Sequence, residues 1–257
     1  MAPAVLISFL KITVAVYLVF GIYLYVAQRS FIYLAVPENP AGDIAVECLD
    51  SDRERLKVWV IDEGRERAVL YFGGNAEDVY FSAEDFRRAL PGYTVYLVNY
   101  RGYGGSTGSP SQRALFADAL NIYDTLEGRH AAISAVGRSL GSGIAVYLAS
   151  QRPLERLVLS TPYDSALSIA QAMYPIYPMS LMLKDSYRSV DYATQVRAPT
   201  LLLLAGDDRI VPVAHSMRLA GAFVEGVAEW VVIAQAGHNN LSRYPGYWDA
   251  ISRFMDP

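Results

Sequence analysis

Cysteine occurs once in 257 residues, histidine three times, and charged residues make up only 19% of the chain. A lone cysteine has no partner, so no intrachain disulfide framework supports this fold, and Cys48 is expected to be a buried, inert side chain. The formal charge is −4. Nonspecific nucleic-acid affinity needs clustered Lys and Arg, so nucleic acid is not an expected partner. No internal repeat and no low-complexity tract interrupts the sequence. What is abundant is apolar: 53% of residues are hydrophobic, high for a soluble enzyme, which suggests that part of the chain is solvated by lipid. At this length a single domain is the expectation.

The lipid-solvated part is expected at the N-terminus. From Val5 to Ala27 the sequence is apolar apart from Lys11 and a few small or aromatic polar residues, enough helix to cross a hydrocarbon core of roughly 30 Å. Fourteen of these residues are Leu, Ile, Val or Phe. At about −0.3 to −0.6 kcal/mol each they outweigh roughly +3 kcal/mol for one Lys, which lies off-centre and can snorkel. The rival is a cleaved signal peptide with Ile12 to Val26 as its apolar region, but no small-x-small cleavage site precedes Gln28-Arg29-Ser30. Residues 1–28 are therefore expected to be a membrane anchor that contacts lipid through residues 5–27, and 29–257 a catalytic domain. Tyr17, Tyr23 and Tyr25 suit either a helix at the membrane interface or one packed on the domain.

Past a Pro- and Gly-marked connector, Pro37 to Gly42, two candidate strands, Ile44 to Leu49 and Leu56 to Ile61, read as an opening hairpin. Then apolar runs alternate with helical stretches. Ala68 to Phe72, Thr94 to Asn99, Ala132 to Val136, Leu157 to Ser160, Thr200 to Ala205 and Trp230 to Ile233 are strand-like. Short runs without alternation are what a parallel sheet buried on both faces requires. Ala83 to Leu90, Gln112 to Leu126, Ser142 to Gln151, Ala214 to Phe223 and Tyr247 to Phe254 read as crossover helices. The pattern predicts an α/β fold with a mostly parallel sheet and helices on both faces. The stretch 164–197 is too long for a simple connection and is expected to form a small cap over the carboxyl edge of the sheet.

Gly137-Arg138-Ser139-Leu140-Gly141 matches G-x-S-x-G between a strand and a helical stretch, the context in which this motif presents a nucleophilic serine. A serine hydroxyl is a weak nucleophile at neutral pH and needs a base, for which histidine is best suited. His130 precedes the nucleophile's strand, and His215 falls in the first turn of a helix. His238 follows the last strand, at the edge where Ser139 is expected, and is the candidate base. The acid that orients it should follow a strand between Ser139 and His238; Asp207, Asp208 and Asp164 all qualify. Gly73 and Gly74 end an early strand, where the loop can donate one N–H to an oxyanion and Leu140 another; Asn75 is taken as the loop donor through its backbone.

Together these segments resemble the membrane-associated α/β-hydrolases that include bud-emergence-type hydrolases, their bacterial relatives and eukaryotic protein depalmitoylases. The resemblance runs from about Arg29 to the C-terminus. Asn99-Tyr100-Arg101-Gly102-Tyr103-Gly104-Gly105-Ser106 is similar to the family's D-Y-R-G-Y-G-x-S, and Gly237-His238-Asn239-Asn240-Leu241 to its G-H-N-D-L. The family's His-Gly-Asn oxyanion loop is here Gly73-Gly74-Asn75, which leaves its orientation open. In the family's acid motif a proline stands four residues after the acid, so Pro212 selects Asp208, although Gly206 is one residue too close. The resemblance implies an α/β-hydrolase fold, hydrolysis of an ester or thioester through an acyl-serine, and neither metal nor organic cofactor; it does not name the acyl group, for which acyl lipids and acylated proteins are candidates. A serine peptidase or amidase of the same fold and a non-catalytic binding protein on this scaffold are the alternatives. The cap supplies Met173, Tyr174, Ile176, Tyr177, Met179, Leu181, Met182 and Leu183, a lining suited to an acyl chain or simply a packing surface.

The α-amino group and Lys11 precede the anchor core and only Arg29 closely follows it, so the positive-inside bias puts the N-terminus in the cytoplasm and the catalytic domain outside it. Protease added to sealed inside-out vesicles should then leave the domain intact; digestion there and protection in right-side-out vesicles would reverse the topology.

Overall fold

The computed structural model describes residues 2–40 and 42–256; Met1 in the expected anchor, Ala41 in the expected connector and Pro257 lie outside the described residues. The chain opens with one long helix, α1 (Ala2–Ile32), and then builds an eight-stranded sheet. The strands are β1 (Ala45–Ser51), β2 (Glu54–Ile61), β3 (Arg67–Phe72), β4 (Tyr93–Val98), β5 (Ala132–Arg138), β6 (Leu157–Ser160), β7 (Thr200–Ala205) and β8 (Ala228–Ile233). Their spatial order is β1-β2-β4-β3-β5-β6-β7-β8. The hairpin β1-β2 and the β2-β4 pair are antiparallel, and every later pair is parallel.

Parallel strands need crossovers, and the helices α2 (Ala83–Ala89), α3 (Gln112–Leu126), α4 (Leu140–Gln151), α8 (Val213–Ala220) and α9 (Pro245–Met255) flank the sheet. Between β6 and β7 the expected cap is three short helices, α5 (Ala166–Met173), α6 (Met179–Met182) and α7 (Ser189–Ala193). Local chemistry sets several starts. The Ser111 and Ser165 side chains accept hydrogen bonds from the first-turn amides of Ala114 and Ser168, and Pro245 occupies the first turn of α9.

The sheet is buried on both faces, as its uninterrupted apolar runs require. On β3, Ala68, Leu70 and Phe72 pack towards α3 and α4, with Leu115, Ile122 and Ile144. Val69 and Tyr71 face the opposite way, against Phe86 of α2 and Ile251 and Met255 of α9. The edges depart from that rule. Cys48 is exposed, contrary to the expected burial, because β1 is an edge strand with one face in solvent. The opposite edge, β8, begins at Ala228, two residues earlier than expected, and leaves Trp230, Val231 and Val232 at least 40% exposed.

In the N-terminal half of α1 every described side chain is exposed, Leu6 and Phe9 each at 68%. Its C-terminal half lies on the cap. Tyr17 stacks on Tyr177 with ring centroids 4.6 Å apart and planes 4° from parallel. Leu24 is buried with Tyr177 and Met179. Gln28 donates to the Met182 carbonyl at 3.1 Å and accepts from the Lys184 amide at 2.6 Å. Arg29 pairs with Asp185 at 2.8 Å, and the same carboxylate accepts from the Gln112 amide that opens α3. Tyr17 therefore serves the domain, one of the two roles open to it from sequence.

Helix α4 begins directly after Ser139, earlier than expected, and packs so tightly on the sheet that a Cβ on Gly141 would overlap the Phe72 carbonyl oxygen. Gly137 is hemmed in as well, because its Cβ would come within 2.7 Å of Ala145 Cβ. Gly141→Ala is expected to destabilise the fold by about 1–3 kcal/mol through overpacking. Gly128→Ala, where nothing lies within 4 Å, should stay within about 0.5 kcal/mol of wild type. Thermal unfolding of both variants checks the contrast, and equal midpoints would remove it.

Candidate active site

Ser139 occupies the tight turn between β5 and α4, with φ 48° and ψ −113°. A serine in this region carries strain of about 1–3 kcal/mol, held by its surroundings. The Ser139 amide donates to the Ser160 carbonyl of the neighbouring strand at 2.9 Å, and its carbonyl accepts from the Ser142 amide and hydroxyl at 2.9 and 2.6 Å. The backbone is thus pinned on both sides while the side chain projects beyond the strand end, at the N-terminus of α4.

The loop after β8 brings His238 to Ser139, with Nε2 2.8 Å from Oγ. The other ring nitrogen, Nδ1, lies 2.7 Å from Asp208 Oδ2, and both residues are buried. Because a carboxylate accepts at Nδ1, that nitrogen carries the proton, which leaves the Nε2 lone pair facing the serine hydroxyl. Asp208 cannot swing away, since its Oδ1 accepts from the Ile210 and Val211 amides at 2.9 and 2.7 Å. The two loops are joined by the Asp207 amide donating to the Ala236 carbonyl at 2.9 Å.

The other candidates fall elsewhere. The Asp207 side chain is 66% exposed and near Arg209. Asp164 meets His215 Nδ1 and Arg218 Nε, each at 2.7 Å, so it ties the cap's first turn to α8. Burial works against the Asp164 carboxylate, but hydrogen bonds from Ser168, Arg218 and His215 outweigh it and lower its pKa. His130 bonds Tyr96 and the Arg65 carbonyl at the far end of the sheet.

The loop after β3 runs alongside the serine; a Cβ on Gly74 would sit 3.7 Å from Ser139 Cβ. The amides of Asn75 and Leu140 hydrogen-bond to nothing among the described residues. The Asn75 side chain is engaged instead, its Oδ1 accepting from the Leu34 amide at 2.8 Å and the Tyr103 hydroxyl at 3.1 Å. Tyr100 donates to the Gly73 carbonyl at 2.6 Å.

Sequence reasoning missed Glu77, the residue that fixes this loop. Its Oε2 accepts from the Gly74 amide and from Arg138, both at 2.7 Å. Its Oε1 accepts from Tyr71 at 2.6 Å and Ser82 at 3.1 Å. One carboxylate therefore connects the glycine loop to the residue preceding Ser139. Burial opposes the Arg138 cation, yet the adjacent Glu77 charge prevails and raises its pKa. The one sequence signal was a charged residue inside G-x-S-x-G; its partner stands 61 positions away. Among the described residues no cluster of three or more His, Cys, Asp or Glu could hold a metal ion.

Comparison with known proteins agrees with this layout. The family described as alpha/beta hydrolase fold matches residues 67–192, from β3 through α7. An uncharacterized protein of Mycobacterium tuberculosis is 38% identical over 253 residues, which cover 91% of this chain and 89% of that protein. The mouse (Mus musculus) alpha/beta hydrolase domain-containing protein 17C is 27% identical over 235 residues, 89% of this chain and 68% of its own length. Among solved structures, an esterase of Pyrococcus furiosus superposes with a TM-score of 0.69 at 17% identity, covering 87% of this chain and 96% of the esterase, a likeness of fold. The parallel sheet, the strand-to-helix turn at Ser139 and the extended match to these relatives agree: the chain belongs to the alpha/beta hydrolase family.

Proposed function

We propose that the protein is a membrane-anchored serine hydrolase that cleaves carboxylic ester or thioester bonds of acyl substrates through an acyl-serine intermediate. The observation that carries this reading is the relay from Asp208 through His238 to Ser139, at 2.7 and 2.8 Å, beside two unused backbone N–H groups. His238 Nε2 takes the Ser139 proton as Oγ attacks the acyl carbonyl. The carbonyl oxygen becomes an alkoxide that accepts from the amides of Asn75 and Leu140, and the N-terminus of α4 favours its charge. Asp208 keeps the imidazole in the right tautomer and stabilises the imidazolium. His238 then returns the proton to the departing alcohol or thiol. Water, deprotonated by the same nitrogen, releases the acid and restores Ser139.

The anchor is supported by a helix, Ala4–Ile32, with mean hydropathy 2.3 and only 6% of its most apolar window buried, unlike the core helix of a soluble protein. Removal of α1 as a signal peptide would also strip the cap of Tyr17, Leu24, Gln28 and Arg29. An apolar acyl group fits a cap that keeps Met173, Ile176 and Leu181 more than 60% exposed.

A fluorophosphonate probe is expected to label the wild-type protein and not Ser139→Ala; failure to label wild type, with no turnover of esters, thioesters or amides, would return the chain to a binding role. Asp208→Asn should lower kcat by up to about 10⁴-fold through a misoriented imidazole, whereas Asp207→Asn changes little. Equal small losses would remove Asp208 from the relay. Glu77→Gln should lower kcat by up to about 10²-fold, the scale of one lost oxyanion donor, with KM largely retained. A rise in KM alone would show that Glu77 does not position the loop.

A further inference from the structure

Between α1 and the cap lies an apolar cavity of about 260 Å³. Leu24, Phe31 and Ile32 of α1 form one wall, and Ile169, Met173 and Met179 of the cap form the other. The amide in this lining, Gln28, is already committed to the carbonyls of Tyr25 and Met182 and the Lys184 N–H. Beyond Gln28 the lining offers one polar side-chain group, the Tyr174 hydroxyl, and no charge, which leaves little to hold a sugar, peptide or phosphate. Water gains little from such a space, while a hydrocarbon chain loses its own hydration by entering it.

The cavity's position ties it to the chemistry. In the sheet, β5 with the serine turn runs between β3 and β6. The anchor-side wall is pinned to the loop after β3, where the Leu34 amide, two residues past α1, donates to Asn75 Oδ1 at 2.8 Å. The cap-side wall springs from the segment after β6, where α5 begins at Ala166. One wall is thus fastened to the loop after β3 and the other follows β6, the two strands that flank the one ending at Ser139. At the other end Phe31 is 51% and Met173 66% exposed, which leaves an apolar mouth on the flank of the anchor helix.

We infer that this cavity holds the acyl chain of the substrate, and that the anchor helix is itself one wall of the acyl site, with Phe31 and Leu24 helping to set chain-length preference. The inference rests on the ester-hydrolase reading above and adds to it where the chain lies. An acyl group whose carbonyl reaches Ser139 runs between Ile32 and Ile169, past Leu24 and Met179, and meets the lipid side at Phe31 and Met173. The substrate enters sideways from the bilayer rather than from water.

The test uses the full chain in lipid nanodiscs. With p-nitrophenyl esters from acetate to dodecanoate, kcat/KM is expected to rise by up to about fourfold per buried methylene until the cavity is full. Ala170→Phe, which fills the cavity from the cap side, should flatten that rise at least tenfold for decanoate relative to acetate. Phe31→Ala should weaken it from the anchor side, and because Phe31 is half exposed the fold is not at stake. A parallel arm uses Ser139→Ala protein, in which no ester turns over, and a photoreactive ten-carbon fatty acid. Crosslinks within Ala166–Met173 that disappear with Ala170→Phe support the acyl site even where no ester turns over. Wild-type chain-length profiles in both cavity variants, or cap crosslinks unaffected by Ala170→Phe, would overturn it. Cavity-dependent crosslinking without hydrolysis of any ester or thioester would instead overturn the hydrolase reading alone.

Discussion

Everything at the carboxyl edge of the sheet is referred to the turn at Ser139. That residue holds a backbone conformation that side chains disfavour, and it is kept there because Gly137 and Gly141 let α4 close onto the sheet against the Phe72 carbonyl. Phe72 ends the strand from which the glycine loop departs. The same contact that holds the serine turn therefore positions the loop bearing Asn75, and Glu77 and Arg138 bind the two together. His238 and Asp208 arrive from separate loops after β8 and β7, fastened to each other through the Asp207 amide and the Ala236 carbonyl. The site is rigid because each of its parts is tied to a strand end, not because any single bond is strong.

What could be read from sequence were features whose information is local. Uninterrupted Val and Leu runs marked Leu157 to Ser160 and Thr200 to Ala205 to the residue, since those strands lie inside the sheet. The same signal misjudged β8, where Trp230, Val231 and Val232 are apolar yet lie on an open edge, because strand propensity does not say which strand is last. Cys48 failed for a similar reason on β1. At the site, the residues alone left Asp164, Asp207 and Asp208 open and the resemblance to a family acid motif, through Pro212, favoured Asp208, the carboxylate that meets His238. Glu77 had no such marker, since an isolated acidic residue reads as solvated until its distant cation is known. The docking of α1 on the cap stood as only one of two roles open to Tyr17, because its partner Ile176 lies 159 positions away.

The docking changes what the N-terminal helix is. A tether needs only length and hydropathy, and α1 as a whole is long and apolar enough, with every described side chain from Ala4 to Phe20 exposed. Its second half is specific. Stacking of Tyr17 on Tyr177, the two hydrogen bonds of Gln28 across to the cap and the pair of Arg29 with Asp185 fix its rotation and its angle of departure. Asp185 also accepts from the first amide of α3, so anchor, cap and sheet-packing layer meet at one buried carboxylate. Tyr33 continues the connection inward, its hydroxyl 2.9 Å from that of Tyr187.

The exposed Cys48 has a practical side. It is the sole thiol of the chain, it sits on an edge strand paired with Lys57 of β2, and nothing in the serine site depends on it. A maleimide fluorophore or spin label would attach there and nowhere else, with no background cysteines to remove. With the protein reconstituted beside a bilayer, the label's quenching by labelled headgroups would read whether, and how near, the β1 edge of the sheet lies to the lipid surface.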